Sequence, residues 1–315
     1  EDGRPATDAA SVSRVLPRTV VVLGLVSLLN DASSEMITPL LPIFLTATLG
    51  AGPAIVGLVE GLAEATSSVL KLVAGRLADR GVDAKSLVVA GYGLSNATRP
   101  LIGLAAAWSS VLLLRFLDRV GKGLRTAPRD ALIAGATLAA DRGRAFGFHR
   151  SLDHAGAVIG PLLAFALLSM QVELKHVFLA SVVPGLLVLL LLMFGLPRGQ
   201  PFVAPPRASF SWRSLHGRLR AMILAAGWLA LASVPEAFVV LWAIGAGLSV
   251  HWVPLVWAAA SLAKMVIAMP AGIVSDRLGR IPVLLGGWTL RVFVLLLLAA
   301  LPAPPAWQVW LLFVA

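Results

Sequence analysis

Apolar runs of about 20 to 30 residues recur along this chain, each long enough to cross the hydrocarbon of a bilayer as a helix. They lie approximately at 18–48, 53–75, 86–107, 109–139, 144–169, 174–196, 218–246, 250–274 and 281–301, and a tenth starts near 306. Only helices and closed barrels satisfy every backbone group in lipid, and no strand-like alternation over about ten residues marks a barrel. An all-α polytopic membrane protein is therefore expected, with the lipid bilayer as its first partner. Composition agrees: 58% of residues are hydrophobic and 13% charged, and the mean hydropathy is +0.87.

The basic residues set the expected orientation. They cluster in alternate connections: Arg4, Arg14 and Arg18, then Arg76, Arg80 and Lys85, then Arg142 and Arg144, then Arg198 to Arg220, then Arg277 and Arg280. By the positive-inside rule these connections are cytoplasmic, which makes residues 1–17 a cytoplasmic N-terminal tail in a cell (inner, cytoplasmic) membrane. The net charge of +10 is the usual basic excess of such loops, so no nucleic-acid partner is implied. Cysteine is absent, which excludes thiolate metal sites and cysteine nucleophiles. No phosphate loop, H-E-x-x-H or G-x-S-x-G sequence is present either, so neither an enzyme nor a cofactor or metal protein is expected.

One span is heavily charged. In Ser109 to Asp130, the residues Arg115, Asp118, Arg119, Lys122, Arg125, Arg129 and Asp130 fall within an arc of about 140° at helical spacing. Charge in hydrocarbon costs several kcal/mol unless it is paired or hydrated, so this stripe has to line a bundle interior. Other charges sit deep in spans. Asp31 and Glu35 share one face of the first span; Glu60, Glu64 and Lys71 share a face of the second; Arg99 lies in the third; Arg150 and Asp153 share a face of the fifth. Beyond residue 217 the deep charges are Glu236, Lys264 and Arg291. Acids and bases nearly balance, so either a structural ion-pair network or a transport pathway accounts for them. Desolvation and state-dependent access to water can tune mid-membrane carboxylates, which makes Asp31, Glu35, Glu60 and Glu64 the candidates for carrying protons. Arg99, Arg115, Arg119, Lys122, Arg150, Asp153, Glu236, Lys264 and Arg291 are the candidates for substrate contact.

A Pro-rich, basic stretch at 197–217 reads as a cytoplasmic linker between a six-helix half at 18–196 and a partial half of about four spans at 218–315. An internal repeat marks the same division. Gly75, Asp79 and Arg80 of G-R-L-A-D-R recur 197 residues later as Gly272, Asp276 and Arg277, followed by Gly279 and Arg280. Carboxylates at helix ends beside arginines can latch a bundle end in one state and release it in the other, so these eight residues are expected to gate.

These loop sequences resemble the motif repeated in the two halves of the major facilitator superfamily. R-F-L-D-R-V-G-K-G at 115–123 resembles that family's fourth-helix motif, and Gly156, Gly160 and Pro161 its helix-five motif associated with antiporter-type exporters. The resemblance implies two six-helix halves that rock about a central site. It implies a monomeric secondary transporter, a small-molecule substrate and protons as the coupled ion. Proton-coupled export of a small organic solute is the expectation. Import or exchange of an organic anion on the same fold, and a membrane sensor or scaffold without flux, are the alternatives. Halves of similar size also predict a natural product about 100 residues longer.

Overall fold

The computed structural model describes residues 16–196, 212–231, 234–300 and 307–310, and every regular element in them is helical. The N-terminal tail up to residue 15 and the linker up to residue 211 lie outside the described residues. Helix α1 (Arg18–Ile37) continues through Leu41–Ile43 and a π-helical turn, Phe44–Thr48. It is followed by α2 (Pro53–Asp79), α3 (Ala84–Leu101), α4 (Trp108–Gly135), α5 (Arg142–Ser169) and α6 (Leu174–Gly195), which bends at Ser181. A second group holds α7 (Gly217–Leu231), α8 (Glu236–Gly245), α9 (Val253–Leu278) and α10 (Arg280–Ala300).

Local chemistry sets the ends. Pro53 opens α2, where its missing N–H would have had no partner. At the other end the Gly81 amide donates to the Ala78 carbonyl at 3.0 Å and the Val82 amide to the Leu77 carbonyl at 3.1 Å. That is the Schellman pattern, and its left-handed residue is Gly81, at φ +93°. Asp83 then caps α3, accepting from the Ser86 hydroxyl at 2.7 Å and the Ser86 amide at 2.8 Å. These bonds hold the Asp83 carboxyl below its usual range. In the repeat, Gly279 at φ +89° is the whole connection between α9 and α10.

Among the described residues, five stretches are long and apolar enough to cross a membrane: Arg18–Thr48, Pro53–Ala78, Arg142–Ser169, Leu174–Gly195 and Val250–Ile267. The sequence predicts one continuous span over 218–246, whereas the structure has two helices there, α7 and α8. The physical reason is Pro235, which disfavours helical backbone at the residue before it and stands as N-cap of α8. The break frees the Val234 carbonyl, and Arg291 Nη2 from α10 donates to it at 3.0 Å.

Helix α1 packs on α5, α3 on α4, and α2 on α4, with α6 against α1 and α3. Glycine permits the closest crossings. A Cβ at Gly156 would collide with the Leu28 carbonyl, and one at Gly160 with the Ala32 carbonyl, so α5 lies backbone to backbone on α1. Among the described residues, two apolar clusters divide the height of the molecule. One joins the starts of α1, α3 and α5 to the ends of α4 and α6 through Leu23, Val88, Tyr92, Ile133 and Leu192. The other lies at the opposite end and spans both groups, uniting Met36, Leu40, Phe44 and Val56 with Val240, Val253, Val256 and Trp257. Helix α9 rests on α5 and α8 on α2 and the Leu41–Ile43 turn, so the two groups meet there. Rings reinforce the junction: Phe165 of α5 lies 4.8 Å from His251 and 5.6 Å from Trp252. Outward residues such as Leu186, Leu190, Phe194 and Leu296 are large, apolar and exposed, as a lipid-facing surface requires.

Candidate functional site

Beside the apolar junction lies a cavity of about 700 Å³, bounded by α1, α2 and α4 on one side and by α7, α8 and α9 on the other. Its charged lining is Glu35, Glu60, Glu64, Arg115, Arg119 and Glu236, and Trp257 adds an aromatic wall. The broken seventh span contributes directly, because Ala230, Val234, Pro235 and Ala237 face the same space.

Behind the cavity the stripe of α4 is anchored on Asp118, which is fully buried. Arg99 Nε of α3 donates to Asp118 Oδ1 at 2.9 Å, while Arg115 Nη1 and Arg119 Nη1 stand 3.7 and 3.6 Å from Oδ2. Arg99 is held further by the Asn30 carbonyl at 3.1 Å and the Asn30 side chain at 3.0 Å, so α1 joins the network. Arg115 Nη2 donates to both Glu60 oxygens, at 3.2 and 3.3 Å. Arg125 donates to Ser95 Oγ at 2.7 Å with its guanidinium 4.5 Å above the Tyr92 ring, and Ser95 Oγ donates to the Asp118 carbonyl at 2.8 Å. A buried charge left without such partners would destabilise the fold, so this set holds α1 to α4 together.

Arg119 differs from its neighbours. It is 8% exposed and lines the cavity, yet among the described residues it makes no hydrogen bond, and its Nε is buried and unsatisfied. Glu35 of α1 accepts a 2.9 Å hydrogen bond from Trp257 Nε1 of α9, a contact across the cavity between the two helix groups. Glu64 is exposed and lines the cavity, and among the described residues it accepts one hydrogen bond, from Ser68 Oγ at 3.5 Å. Glu236 pairs with Lys264 at 2.6 Å, tying α8 to α9.

The other sequence candidates stand elsewhere. Asp31 is outside the lining and accepts from Asn30 Nδ2 at 3.0 Å. Lys122 sits one turn along α4 from Arg119, outside the lining. Asp153 of α5 accepts from Ser27 Oγ and pairs with the exposed Arg150 at 3.1 Å. Arg291 caps Val234 and lies 5.5 Å over the Trp288 ring. Of the gating set, Gly75 packs beside Ala127 of α4, Arg80 and Arg277 are exposed at helix ends, and Gly279 makes the turn described above. Gly272 lies within α9; the side chains of Asp79, Asp276 and Arg280 lie outside the described residues, and so does the pairing expected of them. Trp257, Asn30, Ser95 and Ser27 were not among the sequence candidates. Trp257 was within reach, since it precedes Lys264 by seven residues and so shares its helix face.

The description Major Facilitator Superfamily matches residues 23–315. An uncharacterised MFS-type transporter of Methanocaldococcus jannaschii is 32% identical over 282 residues, covering 87% of this chain and 70% of the relative. The multidrug resistance protein MdtH of Aeromonas hydrophila is 32% identical over 151 residues, covering 48% of this chain and 38% of that protein. Among solved structures, a D323A mutant of the nucleoside transporter NupG matches 94% of this chain and 78% of its own with a TM-score of 0.71 at 13% identity. A bacterial homologue of the human lysosomal transporter Spinster, inward-facing and unoccupied, matches with a TM-score of 0.58 at 17% identity. The chain spans 62% of that structure's length.

Proposed function

We propose, from the premise that this chain belongs to the Major Facilitator Superfamily, that it is a secondary transporter exporting a small organic solute in exchange for protons. Membership makes it a multi-pass membrane protein of a transporter family. The cytoplasmic membrane, an N-terminus inside the cell and a division into halves at 197–217 are part of the proposal. One observation carries it: a cavity of about 700 Å³ lies between the two helix groups and is lined by carboxylates from both. Its size suits a small organic molecule, and its position suits a site that two rocking halves expose in turn.

In this reading the apolar junction closes the outer end, and the solute enters from the cytoplasm. Glu35 is the central proton carrier, with Glu60, Glu64 and Asp31 beside it. As a carboxylate Glu35 accepts from Trp257 across the two groups. A proton arriving there removes its charge and weakens that contact, which biases the balance between states. The loop residues Gly75, Asp79, Arg80, Gly272, Asp276, Arg277, Gly279 and Arg280 latch the cytoplasmic end when it closes. A second reading, exchange of an organic anion, is favoured by one observation, the unsatisfied guanidinium of Arg119.

The test is transport in proteoliposomes under an imposed pH gradient. Export coupling requires solute-dependent proton flux, and Glu35→Gln should abolish that flux. Solute movement indifferent to pH in both proteins would refute proton coupling.

A further inference from the structure

The cavity is bipolar. Helix α4 supplies both cationic groups of its lining, Arg115 and Arg119, and the carboxylates come from α1, α2 and α8. Arg115 is committed to Glu60 and Asp118. Arg119 is not: its single ion-pair partner among the described residues is Asp118 at 3.6 Å, an aspartate already serving Arg99 and Arg115. A guanidinium carries five donors in a fixed fork, and leaving them unmet in a buried position is costly. An incoming carboxylate matches that fork with two parallel hydrogen bonds.

Helices α1 and α2 carry the complementary excess. Glu35 and Glu64 have no ion-pair partner within 4.0 Å among the described residues, and their hydrogen bonds come from neutral donors, Trp257 and Ser68. An ammonium group would supply charge and three donors there. Trp257 of α9, which also lines the cavity, adds an aromatic ring for a solute's hydrocarbon part.

We propose that the cavity takes a zwitterionic organic solute, its carboxylate on Arg119 and its ammonium group on the Glu35 and Glu64 side. This rests on reading the cavity as the transport site.

The experiment is equilibrium binding to the protein in nanodiscs of neutral lipid, using matched probe triads. Phenylalanine, phenethylamine and 3-phenylpropionate share one skeleton and carry both charges, the amine alone and the acid alone. Leucine, isopentylamine and 4-methylpentanoate form a second set. The zwitterion of at least one triad should bind about tenfold more tightly than both of its single-charge analogues, the scale of one lost charge-assisted hydrogen bond. Arg119→Gln should erase the advantage over the amine and leave the advantage over the acid; Glu64→Gln should do the reverse. Arg119→Lys, which keeps the charge but not the fork, should fall between. Equal affinity for a zwitterion and one of its analogues, or no binding of any probe, overturns the proposal. If the glutamine variants do not fold, the affinity order on the unmodified protein decides alone. Zwitterion binding without flux in proteoliposomes overturns transport and supports this site. Flux of a solute bearing one charge overturns this site and leaves transport standing.

Discussion

Asp118 shows how much one carboxylate can hold. Three arginines from two helices converge on this fully buried carboxylate, so Asp118→Asn leaves an uncompensated positive cluster in the bundle. The expected loss is about 3–5 kcal/mol, the usual cost of breaking a buried ion pair, and it should appear as a large fall in thermal stability in detergent. Arg150→Gln removes an ion pair whose arginine side chain is 70% exposed and should cost under about 1 kcal/mol. Equal losses in the two variants would contradict this ranking. The candidate site was half legible in the sequence at this scale. Helical spacing put Arg115, Asp118 and Arg119 on one face, because a face is a property of a single helix. It could not say that Asp118 meets Arg99, 19 residues away, or that Glu35 meets Trp257, 222 residues away. Partners on different helices are chosen by packing, which leaves no period in the sequence.

The elements divide into those that hydropathy describes and those it misleads. Most spans were legible because lipid demands length and apolarity together. The seventh misleads as one piece, because apolar residues continue on both sides of Pro235 and Glu236 while the helix does not. Two predictions belong here. Asp83→Ala removes the cap of α3 and should cost about 1 kcal/mol. The folded Asp83 carboxyl is held below its unfolded range, so its contribution is present above a pH of about 3.9. It should fade as the pH drops through the lower folded value, and acid titration of the variant against the parent should show the two stabilities converging there. Gly156→Val drives a side chain into the α1 backbone and should lose about 1–3 kcal/mol or more. Gly147→Val, on the same helix with open space around it, should change little beyond helix propensity. Matching melting curves for these two would refute the close α1 and α5 crossing.

At the scale of the whole molecule the two helix groups touch at one end, and this asymmetry can be probed cleanly because the chain has no cysteine of its own. A single cysteine at Ser68, which lines the cavity and is exposed, should react with a membrane-impermeant thiol reagent applied from the cytoplasmic side. One at Val256, buried in the junction, should stay unreactive until the opposite end opens. Labelling of Ser68→Cys from the outer side alone would invert the proposed orientation. For the proposed transport cycle, the junction also sets a thermal character. Its core is aliphatic and aromatic, from Met36 and Phe44 to Val240 and Val253, so the step that parts it wets apolar surface that was dry. Hydrating apolar surface raises the heat capacity. The equilibrium between the two access states should therefore follow a curved van't Hoff plot, with the closed junction losing its advantage on cooling as well as on strong heating. A membrane transporter sealed this way has a temperature of greatest closure, much as a soluble domain has one of greatest stability.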